Sequence, residues 1–139
     1  MALFDRVEVV LFDLDGTLAA THEILFETYV RFMTAQGGVP SRDEFAGLDG
    51  PTITEIVQLL RSRHGLSRSE KELDAVYRDI LRERYPLAPA AAGAELALAA
   101  LGARVRLGLV TAAPADLADA LLERRGWKAL FAVVVTGDL

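Results

Sequence analysis

The sequence has no cysteine and only two lysines, Lys71 and Lys128, among its 139 residues. The lack of cysteine excludes disulfide bonds, thiol catalysis and cysteine-ligated zinc. No uncharged run approaches the ~18 residues that a membrane-spanning helix needs. Near the N-terminus, Asp5, Arg6 and Glu8 interrupt any apolar segment that could act as a secretory signal. We therefore expect a cytoplasmic protein that does not associate with membranes.

An excess of positive charge is lacking as well. The formal net charge is −5 and the isoelectric point is about 5.0, so no broad positive field would attract nucleic acid or an anionic membrane surface. An anionic ligand would have to be captured locally. Hydrophobic residues make up 52% and charged residues 25% of the sequence, a balance typical of a globular protein with a core. The length predicts one domain, with room for a small insertion.

The most informative stretch is a short apolar run that ends in two carboxylates. Residues 9–12 are Val-Val-Leu-Phe, and Asp13, Asp15 and Gly16 follow. Such a run is typical of a strand buried inside a parallel sheet. Side chains alternate along a strand, so Asp13 and Asp15 should point to the same side. Because ligands bind at the carboxyl ends of parallel strands, we expect a site here.

Two carboxylates this close repel each other unless a cation lies between them. Mg²⁺ suits them, because it is typically held by one or two carboxylates together with waters and phosphate oxygens. Gly16 lets the chain turn and lets its backbone approach an anion closely. The alternative is a polar turn after a buried strand. A calcium loop does not fit, because Gly16 comes fourth rather than sixth and Ile24 occupies the twelfth position.

The heptapeptide FDLDGTL at residues 12–18 resembles the first motif of the haloacid dehalogenase-like (HAD) superfamily. Most members are Mg²⁺-dependent phosphatases and phosphomutases. The resemblance, closest to the phosphatase and phosphoglucomutase-like branch with a helical cap, implies that Asp13 is a nucleophile that forms an aspartyl-phosphate. It also implies that Asp15 is the general acid and then the general base. True dehalogenases lack the second carboxylate, so Asp15 favours phosphoryl transfer.

Residues 20–86 have the pattern of a helical block. A helix is expected from Thr21 as N-cap, a short one from the capping-box pair Ser41 and Glu44, a third ending at Gly65, and a fourth from a second capping box. That second box pairs Ser67 with Glu70. The resemblance implies that this block is a helical cap over the active site, between core segments 1–19 and 87–139.

The remaining sequence alternates between helix and strand. An alanine-rich helix is predicted over Ala91–Leu101, a strand over Val105–Val110, a helix over Asp116–Arg125 and a strand over Phe131–Val135. Strands linked by right-handed helical crossovers form a parallel sheet. The fold class is therefore α/β: a three-layer Rossmann-like core, with about three strands present, and an inserted all-helical cap.

Thr111 ends the second predicted strand and resembles the second HAD motif. In that motif a Thr or Ser hydroxyl and the backbone amides after it hold the transferring phosphoryl group. The resemblance thus implies that Thr111, Ala112 and Gly16 bind substrate phosphate, and that Asp13 and Asp15 hold Mg²⁺. A hydroxyl and free N–H groups leading into a helix are suitable anion donors. A structural role for Thr111 is the alternative, since Thr is common in strands.

The resemblance covers only the first two of four family motifs. The third is a Lys or Arg after the third strand, and the fourth is an acidic pair after a further strand. Lys71 falls in the predicted cap, and Lys128 precedes the third strand, so neither matches. We expect either a fragment of a longer phosphatase or a chain that pairs the apolar edge at residues 7–12 with another chain, because an unpaired apolar edge is a pairing template.

Three functions follow as hypotheses. The first is Mg²⁺-dependent hydrolysis of a small phosphorylated metabolite by Asp13, Asp15 and Thr111. The second is a non-catalytic phosphate-binding or dimerising module that has kept two motifs. The third is a phosphomutase, since an aspartyl-phosphate can also pass to a sugar hydroxyl. Two further positions bear on the site. His22 is expected at the surface, although it lies near the cap hinge and facing the cleft is the alternative. The resemblance implies that the loop at Gly50 and Pro51 can reach the active site and select substrate.

Overall fold

The computed structural model describes residues 5–138, and its centre is a three-stranded parallel sheet. The strands are β1 (Val9–Phe12), β2 (Arg106–Val110) and β3 (Phe131–Val135), adjacent in that order. Both pairs of neighbours run parallel. The predicted Rossmann-like α/β arrangement is therefore confirmed, and β1 ends where the two carboxylates begin.

Two helices cover one face of this sheet. They are α5 (Ala94–Gly102) and α6 (Ala115–Arg125), which connect β1 to β2 and β2 to β3. Leu107 and Leu109 of β2 point into this face and are 2% and 0% exposed. Trp127, just after α6, is buried with them, and its indole N–H donates to Glu95 at 3.2 Å. The buried apolar residues of β2 therefore form part of the hydrophobic core.

The opposite face of the sheet carries exposed apolar side chains. Leu11 is 63% exposed, and Val9 and Val133 are each almost half exposed, so the prediction that β1 is buried on both faces is wrong for the described residues. A Cβ atom on Gly108 would lie 2.6 Å from Leu11 and 3.1 Å from Val133, so these two side chains cover the glycine from both sides. Within residues 5–138, β1 pairs with β2 and its other edge is unpaired. The expected apolar edge is therefore present.

Four helices form the block between β1 and α5. They are α1 (His22–Ala35), α2 (Arg42–Ala46), α3 (Ile53–His64) and α4 (Glu70–Arg82). Helices α1 and α3 both pack against α4. Their apolar stripes are buried together, as the periodicity predicts; the fully buried members are Tyr29, Phe32, Met33, Val57, Leu60 and Leu73. The all-helical cap is confirmed, whereas its division from the core at 19/20 and 86/87 stays a prediction.

Helix caps fix where these helices begin. Ser41 caps α2, since its hydroxyl accepts from the Glu44 amide at 3.1 Å. The prediction that Ser67 and Glu70 cap α4 is wrong, because Ser69 is the N-cap and accepts from the Glu72 amide at 3.2 Å. Both pairs match the Ser-x-x-Glu pattern, so local sequence does not separate them. The loop before α4 contacts α3, where the Arg61 side chain donates to the Arg68 carbonyl at 2.8 Å.

Both connections between the sheet and the helical block run side by side. The Ala20 amide donates to the Pro89 carbonyl, and the Ala91 amide donates to the Leu18 carbonyl, each at 2.8 Å. A short 3₁₀ turn, Tyr85–Leu87, leads into the second connection. None of the helices within residues 5–138 is long and apolar enough to cross a bilayer.

Candidate active site

Asp13 and Asp15 lie at the carboxyl end of β1, facing the helical block. Asp13 is exposed, and one of its oxygens accepts from the Leu14 amide at 2.8 Å. Asp13, Asp15 and Ala112 all line one cavity. The ends of β1 and β2 therefore meet at the same place, as parallel strands require.

Asp15 is held by two hydroxyl groups. Thr21 and Tyr85 each donate to the same Asp15 oxygen at 2.8 Å. Burial raises the pKa of Asp15 and is the largest influence; these two hydrogen bonds oppose it, and the negative charges of Asp13 and Asp49 add to it. The net result is a pKa above the usual range for aspartate. A carboxyl group that keeps its proton to higher pH is suited to general acid chemistry.

The partners of Asp15 come from the two connections to the helical block. Thr21 occupies the predicted N-cap position of α1, but its hydroxyl bonds Asp15 rather than the helix backbone. Tyr85 was missed by sequence reasoning, because it lies 70 residues from Asp15 and no local pattern links them. A buried tyrosine does need a hydrogen-bond partner, and a tyrosine beside Pro86 at the end of a helical block is a weak signal for one.

Thr111 is buried next to the cavity and forms a hydrogen bond within the loop that follows β2. Its side chain is buried, and its hydroxyl accepts from the Ala113 amide at 3.1 Å. Ala112 and Ala113 line the cavity, whereas Thr111 does not. Gly16 has φ of 75°, and its amide donates to the Ala19 carbonyl at 2.9 Å rather than into the cavity. Phosphate binding by Thr111, Ala112 and Gly16 stays a prediction.

The segment after β3 braces the loop after β2. The Gly137 amide donates to the Ala113 carbonyl at 2.9 Å. A Cβ atom on Gly137 would lie 1.9 Å from the Ala112 carbonyl oxygen, so the close approach requires glycine. Asp138 accepts from the Ala115 amide at 3.0 Å, at the start of α6. Burial alone would raise the pKa of Asp138, but bonds from Thr136 and this amide lower it overall.

The cavity has a volume of about 500 Å³ and separates the strand ends from helices α1 to α4. This size is within the range of small-molecule sites. The loop residue Gly50 lines it, as expected. His22, which was expected at the surface, is exposed and also lines the cavity, with its ring 5.4 Å from that of Phe45.

The donor atoms fit a single Mg²⁺ ion in part. Asp13 and Asp15 supply the one or two carboxylates with which Mg²⁺ is typically held. Within residues 5–138 no group of three or more histidine, aspartate or glutamate residues is arranged to hold a metal. Any further ligands would be waters and phosphate oxygens, which Mg²⁺ retains readily.

These features define the class of protein. The family model for haloacid dehalogenase-like hydrolases matches residues 10–139. The chain belongs to this family. A search of curated proteins finds no match.

Solved structures of HAD-type enzymes share the fold. A Thermotoga maritima protein assigned as a β-phosphoglucomutase is 25% identical, with a TM-score of 0.70. The match covers 95% of this chain and 62% of the Thermotoga maritima chain. A predicted phosphoglycolate phosphatase from Haemophilus somnus is 18% identical, with a TM-score of 0.77, and covers 94% and 62%. A Bacillus subtilis HAD-type hydrolase bound to magnesium is 17% identical, with a TM-score of 0.67, and covers 94% and 65%. The chain thus spans just under two thirds of their length.

Proposed function

We propose that this chain carries the nucleophile and the acid of a Mg²⁺-dependent phosphatase that acts on a small phosphomonoester through an aspartyl-phosphate. The observation that carries the proposal is that an exposed Asp13 and a partly buried Asp15 lie together at one end of a cavity. Burial raises the pKa of Asp15, and a carboxyl group that keeps its proton next to an exposed carboxylate suits an acid beside a nucleophile. Similarity to a predicted phosphatase supports it.

In the proposed reaction an Asp13 oxygen attacks the phosphorus atom, and the bond from phosphorus to the ester oxygen breaks. Protonated Asp15 gives its proton to the leaving oxygen. Water then attacks the aspartyl-phosphate while Asp15 takes a proton from it, which releases phosphate and regenerates Asp13. The amide of Ala112, which lines the cavity, would hold a phosphoryl oxygen, and the buried Thr111 hydroxyl would position this loop through its bond from the Ala113 amide, since phosphoryl transfer depends mainly on positioning and charge stabilisation.

The Asp13 carboxylate would hold Mg²⁺, and Asp15 would join it as a ligand only in its ionised form, after it has given up its proton; the bound ion would neutralise charge between the nucleophile and the phosphate. The Bacillus subtilis neighbour that binds magnesium supports this part of the proposal. The carboxylate of Asp13 faces a phosphate dianion, so without a cation the two would repel each other.

Two other functions compete with hydrolysis. Transfer of the phosphoryl group to a second alcohol, as in a phosphomutase, uses the same aspartyl-phosphate, and the Thermotoga maritima neighbour favours it. A non-catalytic relative, either a phosphate-binding or a dimerising module, is the other alternative; the cavity lining within residues 5–138 includes neither lysine nor arginine, which argues against catalysis. Phosphoryl transfer enzymes commonly use such a cation.

Hydrolysis of an aryl phosphate with and without Mg²⁺, by the wild-type chain and by Asp13→Asn, tests the proposal. We expect metal-dependent release of phosphate that is lost in the variant, since an amide does not act as the nucleophile. Asp43→Asn, an exposed carboxylate of α2 outside the cavity, should retain full activity. Equal activity of wild type and Asp13→Asn would contradict the proposal. Product formed from an added alcohol acceptor would favour the mutase.

A further inference from the structure

The cavity above the strand ends is walled mainly by apolar side chains of the helical block. Leu48, Ile53, Ile56 and Leu81 line it, and each is at most 9% exposed. Phe45 adds an aromatic ring that meets the ring of Phe26 edge-on and stacks with the ring of Tyr29, both on α1. Such walls favour apolar ligand atoms by about 25 cal/mol for each Å² removed from water. A charged group placed against them would lose its hydration without gaining a partner.

The charged groups at the cavity are mostly carboxylates. Within residues 5–138 the charged or ionisable acids and bases that line it, tyrosines aside, are Asp13, Asp15, Asp49 and His22. Asp49 lies in the loop between α2 and α3. It lines the same cavity as Asp13 and Asp15 but belongs to the helical block rather than to the end of β1. The cavity is therefore negative at both its strand end and its helical end.

Nearby arginines of the helical block do not offset this charge. Arg63 pairs with Glu44 at 3.0 Å, and Arg42 pairs with Glu23 at 3.3 Å. Neither arginine lines the cavity. Arg42 also lies over the ring of Phe26, 3.6 Å from its centre. These guanidinium groups are thus committed to contacts outside the cavity.

We propose that the cavity selects phosphomonoesters whose alcohol part is apolar and carries no second anionic group, as in an aryl or benzyl phosphate. The phosphate end of this inference rests on the proposed function, whereas the alcohol end rests on the walls and on Asp49. A second phosphate or a carboxylate would enter an apolar space beside an existing negative charge. A neutral hydroxyl or an aromatic ring meets neither obstacle.

A phosphate-free probe pair isolates the alcohol end. Benzyl alcohol and 4-(hydroxymethyl)benzoate differ by one carboxylate, and binding to the full chain is followed by amide chemical shifts of residues 45–56. We expect saturable binding of benzyl alcohol at these residues and about tenfold weaker binding of the benzoate, as expected for like charges a few ångströms apart in a partly screened site. Equal or tighter binding of the benzoate, or no saturable binding of either, would overturn the inference.

Two matched variants test the charge argument. Asp49→Asn removes the negative charge at the helical end and should bring the two affinities closer together. Asp43→Asn is the same substitution at an exposed site outside the cavity and should leave their ratio unchanged. An unchanged ratio in Asp49→Asn would contradict the role of that residue. Because the probes contain no phosphorus, a failure of phosphatase activity would refute the proposed function without affecting this result.

Discussion

At the scale of single residues, the hydrogen bonds on Asp15 set the behaviour of the site. One Asp15 oxygen accepts from both Thr21 and Tyr85. Both bonds favour the ionised carboxylate and oppose burial, which dominates. The same burial, followed by the charge of Asp15, raises the pKa of Tyr85 and keeps it a hydrogen-bond donor. The balance between these effects sets the pH at which Asp15 loses its proton.

Tyr85→Phe should raise the pKa of Asp15 further above the usual range. The substitution keeps the buried ring but removes one donor to the ionised form, so burial is opposed less. A carboxyl ¹³C NMR titration measures the change. Tyr77→Phe is the matched control, because Tyr77 lines the same cavity and makes no hydrogen bond to Asp15. A lower pKa in Tyr85→Phe would show that the bond does not stabilise the carboxylate.

The raised pKa of Asp15 also fixes a sign for stability. Because the folded-state pKa of Asp15 lies above the ordinary aspartate value of 3.8, the folded state binds the proton more tightly than the unfolded state. The contribution of Asp15 to stability therefore falls as the pH rises from 3.8 through the folded-state pKa. Because Tyr85→Phe should raise the folded-state pKa of Asp15, the fall in stability should extend to higher pH. Denaturant unfolding at several pH values would detect this change.

At the scale of elements, the N-cap residues of the helical block contribute directly to stability. Ser69→Ala should lower the free energy of unfolding by about 1 kcal/mol, because the Glu72 amide at the start of α4 loses its acceptor. Chemical denaturation measures the difference. Ser67→Ala is the control: Ser67 is exposed and lies before the helix, so a change within about 0.5 kcal/mol is expected. A larger loss in Ser67→Ala would contradict the observed helix start.

Glu44 joins three helices of the block. It accepts from Tyr29 of α1 at 2.5 Å, and from Arg63 and His64 of α3 at 3.0 and 2.7 Å. Burial would raise the pKa of Glu44, but the bonds from Tyr29, His64 and Arg63 outweigh it and lower the pKa. Because the folded-state pKa of Glu44 is lowered, this stabilisation is fully present above pH 4.5, the ordinary pKa of glutamate, and is lost as the pH falls through the folded-state pKa.

Glu44→Gln should therefore destabilise the protein by about 1 kcal/mol at neutral pH, and the difference from wild type should shrink below pH 4.5. Thermal unfolding between pH 2 and pH 7, about the range in which carboxylates titrate, measures both. Asp43→Asn, an exposed carboxylate on the same helix, should show neither effect. A difference that stays constant with pH would mean that the charge of Glu44 does not matter.

At the scale of the whole molecule, the open edge and face of the sheet are the main unpartnered surface of the described residues. The edge of β1 is unpaired within residues 5–138, and Leu11 on the open face is 63% exposed. A free apolar edge is a template for pairing with another chain. We propose that the chain self-associates through this edge, which is one of the two alternatives that we expected from the sequence.

Sedimentation over a range of concentrations tests this self-association. Wild type should form dimers or larger species, and Leu11→Gln should weaken them because it removes apolar area from the open face. Leu96→Gln is the control, since Leu96 is 79% exposed on α5, away from this surface. A wild-type chain that stays monomeric at high concentration would refute the proposal.

Much of the fold follows from short patterns. The three strands are apolar runs, and each lies within a residue of its predicted bounds. Gly65 and Gly126 end their helices in the left-handed conformation that suits glycine. The sequence also places Asp13 and Asp15 at the end of β1. Each of these features depends on neighbours a few residues away, so local sequence is sufficient to predict it.

The tertiary structure alone decided which groups meet at the site. Tyr85 reaches Asp15 across 70 residues, and Glu44 gathers donors from α1 and α3. The composition of the cavity likewise depends on four helices packing over the strand ends. No local pattern encodes such contacts, because they depend on how whole elements pack. The sequence by itself therefore determined the chemistry at the end of β1, whereas packing determined how Asp15 is held and which ligands the cavity can favour.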